Sequence, residues 1–200
     1  MAIREILIYP QHKSELRRKS APVIKIDREI FLLIQDLKDT LSESKDGVGL
    51  ASPQINIHRR VIVVRLGNES DGERQTDFPI ALINPQIIES SDERKDFDGC
   101  LSFPGLFGKT IRLHYLQVKG LDPKGKPFNS VFEGFNAVVV HHEIDHLDGV
   151  LFIDRIESVN DLYIIRENER SEMAKVPYTD ILSGYEGWDS PNTFISRKVA

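Results

Sequence analysis

NAVVVHHEIDHL, residues 136–147, is the stretch on which the reading of this chain turns. Wound as an α-helix, it sets His142 and His146 one turn apart on one face, where two imidazoles can hold a single cation. Glu143, beside the first of them, then reaches a water on that cation, which is the arrangement of a metal-assisted hydrolase. The three successive valines before it are mediocre helix formers, because branched side chains crowd the preceding turn. The segment is therefore predicted to be held helical by packing, as the buried centre of a core. Asn136 stands where it would cap the start, and Gly149 follows as a stop signal.

Working outward, residues 110–121 read as extended, Asp122-Pro123-Lys124-Gly125 as a turn, and residues 126–132 as the returning hairpin strand. Residues 80–84 and 86–89 give two short strands around Pro85, and valine-rich residues 60–66 give a buried one. Residues 67–78 are polar and glycine-spotted, a surface loop. Nearer the start, Ile30, Leu33, Ile34, Leu37 and Leu41 recur at helical spacing, with Asp27 as N-cap. Between that helix and the first strand, Gly47-Val48-Gly49-Leu50-Ala51-Ser52-Pro53-Gln54 carries glycines that allow close backbone approaches, the mark of a tight functional loop or strand edge. Past the histidine helix, residues 160–175 read as a second, charged helix ended by Pro177. The last residues, 177–200, hold the sole tryptophan, Trp188, in an irregular tail. The expected fold is α+β: short-stranded antiparallel or mixed sheets packed around the central helix, with an N-terminal helix, a C-terminal helix and the tail.

Two hundred residues of which 40% are hydrophobic can bury one substantial core, so residues 1–200 are expected to form a single catalytic domain. The net charge of −5 gives no general attraction to nucleic acid or to an anionic membrane, and direct DNA binding is not expected. No apolar run approaches the roughly 20 residues that span a bilayer, and no membrane association is expected. One cysteine cannot form an intrachain disulfide, and residues 1–8 lack the apolar core of a signal peptide, which points to the reducing cytoplasm.

That cysteine, Cys100 in Asp98-Gly99-Cys100-Leu101-Ser102, is the obvious third ligand. Two histidines leave a catalytic ion one protein ligand short, and a thiol beside a dication is held as thiolate. At the position after the first ligand, Glu143 can take a proton from water on the ion and hand it to a leaving amine. His141 points about 100° away from His142 on the helix and is expected to pair locally with Asp145. Asp145 is alternatively a support for a ligand imidazole. Gln54 and the backbone N–H of Leu101 make either simple loop hydrogen bonds or a pair of neutral donors for an oxyanion.

Taken together, the Gly47 to Gln54 block, the Asp98 to Ser102 block and His142-Glu143-Ile144-Asp145-His146 resemble, in order and spacing, the three signature motifs of peptide deformylase. Ile6-Leu7-Ile8-Tyr9-Pro10, Ile83-Asn84-Pro85, Arg112 and Leu151-Phe152-Ile153-Asp154-Arg155 extend the resemblance over roughly residues 4–157. The resemblance implies an enzyme of co-translational N-terminal processing that hydrolyses the formyl group from formylmethionine on nascent polypeptides and releases formate. It implies Cys100, His142 and His146 as metal ligands, Glu143 as general base and acid, and Gln54 with the Leu101 N–H as stabilisers of the tetrahedral intermediate. It also implies one divalent ion, Fe(II) in the cell with zinc or nickel able to replace it, and a ribosome contact through C-terminal residues. Family members usually carry Ala, Glu and Gln where Ser52, Asp98 and His141 stand here. Two other readings remain at this point: a metallopeptidase cutting internal peptide bonds, and a non-catalytic relative that binds metal or formyl-peptide.

Overall fold

A computed structural model describes residues 2–44, 46–67, 78–167 and 173–177. After one helical turn, α1 (Lys13–Leu16), comes α2 (Arg28–Glu43). Asp27 caps α2 as its sequence predicts, its carboxylate accepting from the N–H groups of Glu29 and Ile30 at 3.1 and 3.3 Å. Those amides have no partner within the helix, so the cap removes a cost that an apolar residue would leave.

Strands β1 (Gly49–Ala51), β2 (Val61–Val64), β3 (Ile80–Gly99), β4 (Leu106–Leu121), β5 (Pro127–Glu133), β6 (Leu162–Glu167) and β7 (Met173–Pro177) form one seven-stranded sheet. Every ladder in it is antiparallel. Strand β4 is the spine: β3 pairs along its length, β5 along Tyr115 to Leu121, and β6 at Leu106 to Gly108. Alternation then sorts side chains to the two faces. Val61, Val63, Ala81 and Ile83 pack on the apolar side of α2. Ile62, Val64, Leu82, Leu116 and Val118 pack on the histidine helix α3 (Gly134–Leu147). The fold is α+β, with α3 at its centre and every residue from Ala137 to Leu147 buried. Complete burial is what keeps the valine run helical.

The structure corrects several expectations. The strands are not uniformly short, since β3 has 20 residues and β4 has 16. Residues 80–84 and 86–89 belong to one strand, and Pro85 sits where the ladder slips between Ile83 and Gln86, so its missing N–H breaks no regular pair. Asn136 does not cap α3; Glu133 occupies that position, and Asn136 exchanges two hydrogen bonds with the Gly67 backbone at 3.0 and 2.9 Å. The C-terminal helix expected over 160–175 is instead a 3-10 turn (Val159–Asp161) leading into the antiparallel pair β6 and β7. Leu162 and Ile164 are buried while Tyr163 between them is not, a period of two that suits a strand. At Leu106 to Gly108 the free side of β4 is paired by β6, which satisfies its backbone groups there. The irregular tail lies outside the described residues from 178 onward, as do residues 68–77 of the surface loop.

A third apolar cluster joins the N-terminal segment to the residues after α3: Leu7, Tyr9, Phe103, Phe152 and Ile156 are among its members. Leu7 N–H donates to the Gln54 carbonyl at 2.7 Å and Tyr9 N–H to the Ser102 carbonyl at 2.9 Å, so this segment ties two of the motif loops together.

Leu37, fully buried on α2, tests the packing of that helix. Leu37→Ala is expected to cost about 2–5 kcal/mol of unfolding free energy, read from chemical denaturation. A loss under about 1 kcal/mol would show that α2 is not seated on the sheet as described.

Candidate metal centre

Cys100 stands just past the end of β3, and His142 and His146 face it from α3. Cys100 Sγ lies 3.2 Å from His146 Nε2, and the two Nε2 atoms lie 3.2 Å apart. All three ligand atoms fall within 4.8 Å of one another, the only such group of three His, Cys, Asp or Glu residues among the described residues. Nitrogens bound tetrahedrally at about 2.0–2.1 Å would stand about 3.3–3.4 Å apart, so the spacing fits one shared ion. Three protein ligands match catalytic sites, whereas structural sites use four.

The ring of His142 is oriented from behind. Asp98 Oδ1 lies 2.9 Å from His142 Nδ1, so that nitrogen carries the proton and Nε2 turns its lone pair toward the other ligands. Asp98 is itself held by Thr110 Oγ1 at 3.0 Å and by Arg112 Nε and Nη2 at 2.9 and 2.7 Å. Burial alone would raise the Asp98 carboxyl, but the hydrogen bond from His142 and the charge and hydrogen bonds of Arg112 outweigh it and hold Asp98 well below the usual carboxylate range. Arg112 also donates to Asp145 Oδ2 at 2.6 Å, and Arg155 grips the same carboxylate from the surface side. Asp145 therefore acts on Arg112 and Arg155 and does not touch a ligand imidazole. His141 lies 3.8 Å from Asp145 through Nε2, as expected, and its Nδ1 accepts from Leu113 N–H at 3.4 Å. Burial lowers its pKa to about 4, and it stands apart from the ligand group. The Asp98–Arg112–Asp145 chain was not read from the sequence. Its signal was a buried-type arginine on a strand, which means little until the strand's neighbours are known.

Glu143 is buried beside this group, and burial pushes its carboxyl up to about 7. Its Oε2 has no hydrogen-bond partner among the described residues, and Glu143 is among the residues lining a cavity of about 500 Å³. Gly49 makes room for it, since a Cβ there would lie 2.8 Å from Glu143 Cδ. Gln54 lies on a 3-10 turn (Ser52–Ile55), where its Oε1 accepts from Ala51 N–H at 2.8 Å. That bond fixes the amide so that Nε2 points to Ser102 Oγ at 3.2 Å and to Cys100 Sγ at 3.6 Å. Leu101 follows Cys100 and lines the cavity together with Gln54, Val48 and Gly49. Leu50 does not line it and is fully buried under α2. Ser52 spends its hydroxyl locally, donating to the Arg59 carbonyl.

The family model described as polypeptide deformylase matches residues 3–161. The chain belongs to the peptide deformylase family. A peptide deformylase of Alkalilimnicola ehrlichii is 39% identical over 170 residues, covering 85% of this chain and 91% of that protein. Peptide deformylase 1 of Bacillus subtilis is 40% identical over 156 residues, covering 78% and 91%. Among solved structures, the Thermotoga maritima peptide deformylase superposes with a TM-score of 0.70 at 35% identity, covering 79% of this chain and 100% of that one. The Ehrlichia chaffeensis peptide deformylase in complex with actinonin gives 0.70 at 32% identity, covering 78% and 90%. This chain is accordingly an enzyme of the peptide deformylase family, and the α+β fold described above is the fold it shares with these deformylases.

Two variants probe the site. Asp98→Asn keeps the size but removes the charge behind His142, and metal affinity measured by chelator competition should fall about 10–100-fold. Unchanged retention in a folded variant would refute the supporting role of Asp98. Gly49→Ala should displace the Glu143 carboxylate and lower turnover while leaving metal content near one ion per chain. Full turnover would show that the clearance at Gly49 is not needed.

Proposed function

We propose that this chain hydrolyses the formyl group from formylmethionine at the start of nascent polypeptides and releases formate. The observation that carries the reading is the placement of the Glu143 carboxyl, buried and with Oε2 free of hydrogen-bond partners among the described residues, beside the Cys100, His142 and His146 cluster. A carboxylate so placed can accept a proton from the attacking water and deliver it to the departing amine within one turnover. Gln54 Nε2 and the Leu101 N–H serve as neutral donors to the oxygen that gains charge as the formyl carbon becomes tetrahedral. Ala51 fixes the orientation of the Gln54 amide, and one of its N–H groups would exchange its contact with Cys100 Sγ for the oxyanion.

Cys100, His142 and His146 would hold one divalent ion. When bound, it supplies the Lewis acidity that polarises the formyl oxygen and makes water nucleophilic near neutral pH. A thiolate with two imidazoles suits Fe(II), zinc or nickel, and Fe(II) is the proposed resident ion. Val138, Val139 and Val48 give the cavity apolar walls suited to a methionine side chain.

The enzyme is proposed to act as one catalytic domain in the cytoplasm, on nascent chains and in reach of the ribosome. Supporting this are the single sheet that joins residues 49–177 and a lone cysteine that must stay reduced to bind metal. The net charge of −5 argues against direct DNA binding. No helix of the described residues is long and apolar enough to cross a membrane.

Formate release from formyl-Met-Ala-Ser, with casein digestion alongside, tests the activity. Formate without casein cleavage is expected; casein cleavage, or neither product, overturns the reading. Glu143→Ala should keep its metal and lose about 10²–10⁴-fold in turnover, whereas Cys100→Ala should lose metal as well. Elemental analysis of both purified variants beside their turnover checks this, and a fully active Glu143→Ala enzyme would sink the proton-transfer role.

A further inference from the structure

Between α2 and β1 the chain runs along the cavity, which Ser44, Asp46, Gly47, Val48 and Gly49 all line. Arg65 follows the end of β2, one step past the Gly49–Val64 pair, and its N–H donates to the Val48 carbonyl at 2.7 Å. Its guanidinium turns back to the end of α2. Nη1 donates to the carbonyls of Gly47 at 2.8 Å and Ser44 at 3.4 Å, and Nη2 to that of Leu41 at 3.4 Å. The last four carbonyls of a helix have no partner within it, Leu41 supplies one of these, and α2 has no basic residue in its last turn. Arg65 therefore brings to this helix end, from the sheet, the positive charge that its dipole favours. Among the described residues its guanidinium bonds only to carbonyls, a task for which a planar fork of donors is suited and an ammonium is not.

Glu143 gives this anchoring its consequence. Its Oε2 accepts no hydrogen bond among the described residues, so packing places that oxygen, and Gly49 is the backbone against which the carboxylate rests. The ladder to Val64 holds Gly49 from the sheet side. From the other side the chain enters through the carbonyls that Arg65 pins, with Gly47 folded onto the helix end so closely that a Cβ there would come within 2.8 Å of Ser44 Oγ. We propose that Arg65 is a positioning residue for the reaction: by pinning Ser44, Gly47 and Val48 to the end of α2, it fixes the rim of the cavity and keeps Gly49 where it leaves the Glu143 carboxylate in place. Its effect on turnover rests on the deformylase reading above. Freed from Arg65, this rim can shift without unfolding α2 or the sheet, and a misplacement of about 1 Å at a reacting group can cost about 10²-fold in rate.

Arg65→Met keeps most of the stem and removes every donor. In the full-length, metal-loaded enzyme it should lower kcat/KM for formyl-Met-Ala-Ser about ten-fold, chiefly in kcat, with metal content and helical circular dichroism unchanged. Arg65→Lys, whose ammonium cannot span the same carbonyls, should fold and fall about three-fold below wild type. A double-mutant cycle with Gly49→Ala separates positioning from stability. If Arg65 acts through Gly49, the double variant loses no more than the worse single variant, whereas independent effects multiply. Wild-type kcat and KM in a folded Arg65→Met enzyme, or multiplied losses in the cycle, overturn the proposal. Should Arg65→Met not fold, the same comparisons are made with Arg65→Lys. Hydrogen exchange reads the role without turnover: amides of residues 46–49 should exchange about ten-fold faster in the variant, while those of α3 keep their wild-type rates. A wild type that releases no formate, with faster exchange in the variant, would refute the activity and retain the pinning; unchanged exchange would refute the pinning.

Discussion

Arg112 is fully buried in the middle of β4, and its guanidinium joins Asp98 on β3 to Asp145 on α3. A charge with no access to water is tolerable only when its partners are complete, and removing one partner of such a set typically costs about 3–5 kcal/mol. Burial opposes the charged form of Arg112, and the two carboxylates more than offset it, holding its pKa above the ordinary value. The consequence is geometric. Strand β3, which ends just before Cys100, and the helix that carries His142 and His146 are locked to the same cation of the protein itself, which brings the three candidate ligand side chains together.

The same chain of contacts sets the chemistry. Asp98, fixed by Arg112 and Thr110, dictates which nitrogen of His142 keeps its proton. Arg112 is also satisfied by Asp145, so Asp98 can spend its other oxygen on the imidazole. Glu143, next to His142 on the helix, has no hydrogen-bond partner at Oε2 among the described residues, and burial outweighs the nearby positive charges and raises its carboxyl to about 7. Two carboxylates of one buried region are thus pushed in opposite directions by their surroundings.

Around that centre, tolerance for substitution is set by space. Gly49 lies under the Glu143 carboxylate and Gly99 lies under the Phe107 ring, each where a Cβ would collide with a side chain that lines the cavity. The departures at Ser52 and His141 are absorbed by local hydrogen bonds to Arg59 and Leu113, away from the ligand atoms. Asp98 is held by two hydrogen bonds from Arg112.

Much of this was legible along the chain because the relevant physics is local. Helical period set His142 and His146 on one face, the Asp27 cap and the apolar spacing defined α2, and the turn at Asp122 to Gly125 predicted the hairpin of β4 and β5. Where contacts between distant residues decide, residue pattern was silent or misleading. The charged stretch after residue 160 has helical composition, yet the open edge of β4 draws it into β6 and β7. Asn136 looks like a cap until Gly67 claims it, and Arg112 looks unremarkable until β3 and α3 close around it. The sequence by itself determined which residues could hold a metal and move a proton. Only the tertiary structure decided which carboxylate stays charged, which titrates near neutrality and what the cavity wall is made of, because burial and long-range pairing are properties of the packed chain.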